Sequence, residues 1–292
     1  MEALGYDMPC YSPLNVIFTH DGKKTFRSAH SMGYRASNQV PCGRCIGCRL
    51  DKSRDWAIRC AHEASLYSQN SFITLTYDPE NVPYSLDVRT LQLFLKRLRK
   101  RYGNGIRFFA CGEYGETFGR PHYHICLFNF NFPDRKFWSI KQGNRLYRSA
   151  SLEELWPHGF SLIGSLSFQS AAYVARYVCK KYYGEKADEH YQGRVPEFCT
   201  MSRRPGIGDA WIKKYFSDVY PHDYVIYGTG NKCKPSRFYD KRISLDNPDL
   251  FVHVRDTRLK QAAESSDNTL DRLVVRDEVK NRKFESLYRS IE

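Results

Sequence analysis

The run Pro121-His122-Tyr123-His124-Ile125-Cys126-Leu127-Phe128 sets two imidazoles two residues apart in an otherwise apolar and aromatic stretch. In a strand alternate side chains share a face, so His122 and His124 project together while Tyr123, Ile125 and Leu127 turn toward a core. Two imidazoles form a bidentate clamp for a divalent ion, which needs at least one more ligand. Glu113, opposite or nearly opposite His122 across a hairpin at about 5 Å between Cβ atoms, is the expected third ligand. Glu116, in the connecting loop, is the weaker candidate. Two histidines and a carboxylate suit Mg²⁺ or Mn²⁺ and leave positions open for substrate oxygens. A second pattern, Tyr173-Val174-Ala175-Arg176-Tyr177, puts two phenols four residues apart and hence on one helical face. A phenol with pKa about 10 is a poor nucleophile at neutral pH. A metal that draws charge from a phosphate, with Arg176, Lys180 or Lys181 nearby, would favour the phenolate and neutralise the developing charge. Taken singly, each pattern has an ordinary reading: half-buried strand histidines, and tyrosines at the rim of an amphipathic helix.

The segment Cys42-x2-Cys45-x2-Cys48 supplies three of the ten cysteines within seven residues. Closed structural zinc sites take four ligands, so a fourth must come from Cys10, Cys60 or His62, with Cys10 heading the set. Lys52 stands where a bacterial ferredoxin pattern would place its next cysteine, which argues against an iron–sulfur cluster. Free reduced thiols in a turn-rich loop are the plain alternative. Cys111, Cys126 and Cys179 read as small core residues.

The elements that must position these groups follow from periodicity and turn chemistry. A helix is expected from about Ser53 to Tyr67, a strand over 71–77, and a helix capped by Asp87 with Leu91, Phe94, Leu95 and Leu98 on its apolar face. The opposite face of that helix, with Lys96, Arg97, Lys100 and Arg101, reads as solvated or as a phosphate contact. Strands are expected over 105–113 and 121–129, a packed insertion around Trp138 and Trp156, and a short strand over 165–168. A helix over 170–183 stopped by Gly184, a loop-rich stretch over 185–250 and a charged helical tail complete the chain. In that tail, Leu270, Leu273, Val274, Leu287 and Tyr288 are the expected packing residues. The resulting class is α+β: a central antiparallel sheet packed by helices. The expected organisation is a Cys-rich N-terminal segment over 1–60, a catalytic domain over 61–250 and the tail over 251–292. With 45 Lys and Arg against 32 Asp and Glu, the chain carries +13 and suits a polyanionic partner; its 15% aromatic content suits stacking on unpaired bases. No membrane span, secretory leader or phosphate-binding loop is expected, so the thiols should meet a reducing cytoplasm.

Three segments in this order, Phe72-Ile73-Thr74-Leu75-Thr76-Tyr77, Pro121-His122-Tyr123-His124 and the two-tyrosine helix through Lys180, closely resemble the three motifs of HUH endonucleases. The tyrosine pair together with Val40-Pro41-Cys42-Gly43-Arg44-Cys45 resembles the replication initiators of small single-stranded DNA bacteriophages, Microviridae of the gokushovirus type. Conjugative relaxases place the tyrosine before the histidine pair; replication initiators place it after, as here. The resemblance implies nicking of single-stranded and replicative-form DNA at a phage origin, a 5′-phosphotyrosine, rolling-circle synthesis and rejoining of the displaced strand. It assigns His122 and His124 as ligands, Tyr173 and Tyr177 as nucleophiles and Lys180 as the helix lysine, with an acidic third ligand at Glu113. It also implies a host helicase and polymerase as partners and the host bacterial cytoplasm as location. A single-tyrosine transposase of the same superfamily and a zinc-dependent nucleic-acid-binding regulator are the rival readings.

Overall fold

The computed structural model describes residues 10–18, 24–25, 38–115, 119–180, 185–227, 230–264 and 266–289. The chain divides into two compact units, Met1–Lys52 with Asp249–Glu292, and Ser53–Pro248. At the N-terminal end, β1 (Leu14–Phe18) pairs antiparallel with β2 (Lys24–Thr25) and β3 (Asn38–Val40). The helix α1 (Ile46–Ala64) starts earlier than periodicity suggests, so that Cys48 lies in its first turn.

The larger unit is built on a seven-stranded sheet whose pairs are all antiparallel. In chain order its elements are β4 (Asn70–Tyr77), α2 (Val88–Tyr102), β5 (Arg107–Tyr114), β6 (Pro121–Phe128), β7 (Lys136–Lys141), β8 (Asn144–Arg148), α3 (Ala150–Leu155), β9 (Gly159–Gly164), α4 (Phe168–Lys180), α5 (Glu185–Tyr191) and β10 (Phe198–Met201). The strand order is β10-β5-β6-β4-β9-β8-β7, which puts β5, β6 and β4 inside the sheet. The helices α6 (Asp209–Val219) and α7 (Arg237–Asp246) flank a small ribbon of β11 (Val225–Tyr227) and β12 (Asn231–Cys233). The remaining helices, α8 (Pro248–Glu264) and α9 (Leu270–Arg289), form most of the charged tail. Among the described residues no helix is long and apolar enough to cross a membrane.

Each face of the sheet carries its own core. Tyr123, Ile125 and Leu127 of β6 pack with Ile73 and Leu75 of β4 and with Leu91, Phe94, Leu95 and Leu98 of α2. The Asp87 carboxylate caps α2 by accepting from the N–H groups of Arg89 and Thr90, which leaves those two amides satisfied. On the opposite face Phe109, Cys111, Cys126 and Phe128 pack against Cys60 of α1 and Ala171, Val174 and Ala175 of α4. The small residues of α4 are what let its backbone approach the strands.

Several expectations are corrected. Arg97 and Arg99 of α2 are not a free basic face: they donate to the carbonyls of Leu155 and Ile106 at 3.0–3.2 Å. Trp156 is buried, but Trp138 is 58% exposed on a β7–β8 hairpin that the sequence had suggested was packed. The strand expected over 165–168 is instead β9, and Phe168 opens α4. The stretch over 185–250 is rich in helices and short strands, not loops, because its apolar residues are spaced too irregularly to show a period. In the tail Leu273 is buried whereas Leu270 and Val274 are exposed. Gly184 and the side chains of Leu287, Tyr288 and Cys179 lie outside the described residues.

Candidate active site

The hairpin of β5 and β6 sets Glu113 directly opposite His122, and Cys111 opposite His124. His122 and His124 therefore share one face with Glu113, and their rings lie 5.3 Å apart at 89°. A single carboxylate oxygen, Glu113 Oε1, lies 2.7 Å from His122 Nε2 and 2.7 Å from His124 Nε2. Glu113 is only 3% exposed, and its other oxygen, Oε2, is buried with no hydrogen-bond partner among the described residues.

The outer nitrogens of both rings are tied down. His122 Nδ1 lies 2.9 Å from the Arg120 carbonyl, which can only accept, so the hydrogen-bond network assigns the proton to Nδ1. His124 Nδ1 meets the Thr74 hydroxyl at 3.0 Å, and the ring stacks on Phe72 at 5.7 Å and 10°. Such outer partners orient ligating imidazoles and leave Nε2 for a metal. In neutral His122 the Nε2 lone pair would then face the lone pairs of Glu113 Oε1 at 2.7 Å. Two acceptors at that separation repel unless positive charge lies with them, and a divalent cation or a ring proton supplies it. Burial alone would raise the Glu113 carboxyl; the hydrogen bonds and charges of His122 and His124 outweigh it and hold the group below its ordinary value. The donor set, the orphaned Oε2 and the facing lone pairs all fit a divalent cation. The three ligand atoms lie within 4.8 Å of one another.

Tyr173 of α4 reaches this centre from above the sheet. Its hydroxyl donates to Glu113 Oε1 at 3.4 Å, and its ring meets His124 edge-on at 5.0 Å. It is 37% exposed, whereas Val174 and Ala175 beside it are buried, so the helix turns its phenol out of the packed interface and onto the rim of the site. The helix backbone continues through Tyr177 and Lys180, but the side chains of Arg176, Tyr177 and Lys180, like Lys181 and Glu116, lie outside the described residues.

Gly115 and Thr74 escaped the sequence reading. A Cβ on Gly115 would sit 2.9 Å from His122 Cε1, so only glycine lets the loop close over a ring already fixed by Arg120. Thr74 had a readable signal, because Phe72, Thr74 and Thr76 alternate onto one face of β4 and Thr74 pairs with His124.

In the smaller unit, Cys10, Cys42, Cys45 and Cys48 place their sulfurs within 4.8 Å of one another. Amide N–H groups point at them: Cys42 to Cys10 Sγ at 3.2 Å, Cys45 to Cys42 Sγ at 3.3 Å and Tyr11 to Cys45 Sγ at 3.4 Å. Burial works against the Cys42 thiolate, but the N–H donors of Cys45 and Arg44 prevail and bring its pKa down to about 7. Four convergent thiols with amide support fit a soft tetrahedral ion. Of the other candidate ligands, Cys60 is in the sheet core and His62 stacks on Trp211 at 3.5 Å.

A family model described as replication-associated protein ORF2 matches residues 70–182, which run from the start of β4 past the end of α4. The chain is 32% identical over 264 residues to replication-associated protein VP4 of Bdellovibrio phage phiMH2K, covering 87% of this chain and 82% of the relative. It is 34% identical over 282 residues to replication-associated protein ORF2 of Spiroplasma virus 4, covering 87% of each. A shorter match, 34% over 153 residues, joins it to replication-associated protein ORF4 of Chlamydia phage 1 and covers 49% of this chain and 38% of that one. No solved structure matches.

Proposed function

The chain belongs to the replication-associated proteins of small phages, the Microviridae, and from that premise we propose that it initiates rolling-circle replication as an HUH-type nicking and joining enzyme. The observation that carries this reading is the convergence of His122, His124 and the Tyr173 phenol on one buried carboxylate oxygen.

Glu113, His122 and His124 would hold Mg²⁺ or Mn²⁺, which when bound polarises the scissile phosphate and offsets its charge. Tyr173 Oη attacks phosphorus: the Oη–P bond forms, the P–O3′ bond breaks, and the 5′ end stays on the protein as a phosphotyrosine. The phenol proton passes to the Glu113 carboxylate, to which it is already hydrogen-bonded, and is returned to the departing 3′ oxygen, leaving a free 3′-hydroxyl. Burial of Glu113 and His124 keeps bulk water away from the attacking phenol, which favours transfer to tyrosine over hydrolysis. Tyr177, on the same helical face, makes the second cut after a round of copying, and the new 3′-hydroxyl resolves the first adduct to close a circle. Lys180 adds positive charge one helical turn further along. Strand opening and synthesis fall to a host helicase and polymerase, in the host cytoplasm. The four thiols of Cys10, Cys42, Cys45 and Cys48 hold a structural Zn²⁺ that fixes the N-terminal segment.

The test is incubation with single-stranded origin DNA and Mg²⁺ or Mn²⁺, resolved on denaturing gels. A covalent adduct is expected from the wild type, and none from Tyr173→Phe in a Tyr177→Phe background. An adduct that persists in the His122→Ala, His124→Ala double variant would refute the metal role. Metal analysis of the purified chain should return one zinc that is lost in Cys42→Ser; retention of zinc in that variant overturns the assignment.

A further inference from the structure

Beyond the metal and the tyrosines lies a surface with no part in the chemistry just described. Register carries one row of side chains across four strands, from Glu113 to His122, then Thr76, then Phe160. Cross-strand partners share a face, so Phe160 stands on the same face as the site, two strands and about 10 Å from His122. It is 61% exposed. The face continues onto β8: a Cβ on Gly164 would lie 3.8 Å from Leu146 Cδ2, and Arg148 alternates onto the same side as Leu146. The Arg148 guanidinium, held by Glu153 at 2.8 Å, sits 4.8 Å over the ring of Trp138 on β7. On the other side of the hairpin Arg145 lies over Phe137 at 5.3 Å.

Residues 135–148 carry five Lys and Arg and no Asp or Glu. The strand β7 is the sheet's outer edge. Basic residues on an edge strand commonly guard against strand addition. Protection alone, however, would not need Phe137, Trp138 and Ile140 at 52%, 58% and 63% exposure. Exposed rings interleaved with cations match the two surfaces of an unpaired nucleic acid, since every base offers a stackable face and every linkage a negative charge. In a duplex those base faces are covered.

We propose that Phe160 and the β7–β8 hairpin form a landing platform for unpaired DNA, on which bases adjoining the scissile linkage stack against Phe160 and Trp138 while Arg145, Lys141 and Lys136 follow the backbone. The inference rests on the functional reading above and adds to it the surface that holds the single strand in place. Because the rings are already solvent-facing, removing them leaves the fold intact.

The experiment is fluorescence anisotropy of the full chain, in EDTA, with a labelled single-stranded oligonucleotide and with a duplex of the same sequence. Trp138→Ala and Phe160→Ala should each weaken single-strand binding about tenfold and barely move duplex binding. Neither ring variant should change the salt slope, whereas Lys141→Ala with Arg145→Ala should lower it by about 0.7 per charge removed. Trp138→Phe should keep affinity and abolish the tryptophan quenching that accompanies binding. If the wild type binds single strands and the double ring variant binds equally well, the platform is refuted while the functional reading stands. A platform that favours duplex over single strand is likewise refuted. If the wild type binds no single-stranded DNA at all, the functional reading itself falls, and adduct formation at Tyr173 reports on that independently.

Discussion

Replacing Glu113 by Gln keeps the shape of the side chain and one oxygen near the two Nε2 atoms, but it removes the negative charge that a divalent ion requires. The wild type should gain stability from Mn²⁺ according to RT ln(1 + [L]/Kd), about 2.7 kcal/mol at a hundredfold excess over Kd. For a chain of this size that is a rise in Tm of about 5–10 °C. Loss of a supporting group around a metal commonly costs 10- to 100-fold in affinity, and loss of a direct carboxylate ligand belongs at the upper end. At the same Mn²⁺ concentration the variant then sits near its own Kd and gains about 0.4 kcal/mol, a shift of about 1 °C. Without metal the order should reverse or vanish, because Glu113 is buried, carries an orphaned Oε2 and faces two imidazoles that must share a proton to tolerate it. Thermal unfolding with and without Mn²⁺, backed by titration calorimetry, measures both halves. The comparison between the two proteins cancels any ion bound by the cysteines. A Glu113→Gln protein whose Tm climbs with Mn²⁺ as steeply as the wild type would show that the carboxylate is no ligand and that the cluster is a structural hydrogen-bond knot.

Further outcomes follow from individual contacts. Gly115→Ala forces a Cβ to 2.9 Å from His122 Cε1, so adduct formation should fall about tenfold or more with only a small change in Tm; an unaffected nicking rate would mean that His122 moves freely. His62, buried against Trp211 and hydrogen-bonded to Tyr239 at 2.9 Å, has its pKa pushed down by burial to about 4. It folds neutral, so its contribution is intact above its ordinary 6.5 and is lost as pH falls toward 4. That amounts to about 2 kcal/mol between pH 7 and pH 5, read by urea unfolding, and His62→Phe should flatten the dependence. Asp87→Ala should cost about 1 kcal/mol at pH 7 through loss of the α2 cap. Slight burial raises the Asp87 carboxyl, but bonds from the Thr90 hydroxyl and the N–H groups of Arg89 and Thr90 prevail and lower it. The wild-type advantage is therefore present above pH 3.8 and fades as pH drops through the lowered value, which a pH series on both proteins would reveal.

Local chemistry made much of this protein legible in its sequence. The alternation of His122 and His124 against Tyr123, Ile125 and Leu127 fixes which side of β6 meets the core, because strand geometry leaves no other option. The α2 cap at Asp87 and the apolar period behind it are likewise properties of a few adjacent residues. The tyrosine spacing and the Cys42-Cys45-Cys48 run belong to the same class of signal.

What needed the tertiary structure was every relation between distant segments. The choice of Cys10 over Cys60 and His62 as fourth thiol partner is such a relation, since 32 residues separate Cys10 from Cys42 and no period links them. The shared oxygen of Glu113 depends on a one-residue choice of hairpin register, and a slip by one would send the carboxylate to the other face. The row from Glu113 to Phe160 exists only because β4 runs between β6 and β9, an order set by how the two cores close and not by any neighbouring residues. Trp138 could be read from sequence only as one more large apolar residue; its exposure follows from the hairpin standing at the sheet edge, where no second layer covers it.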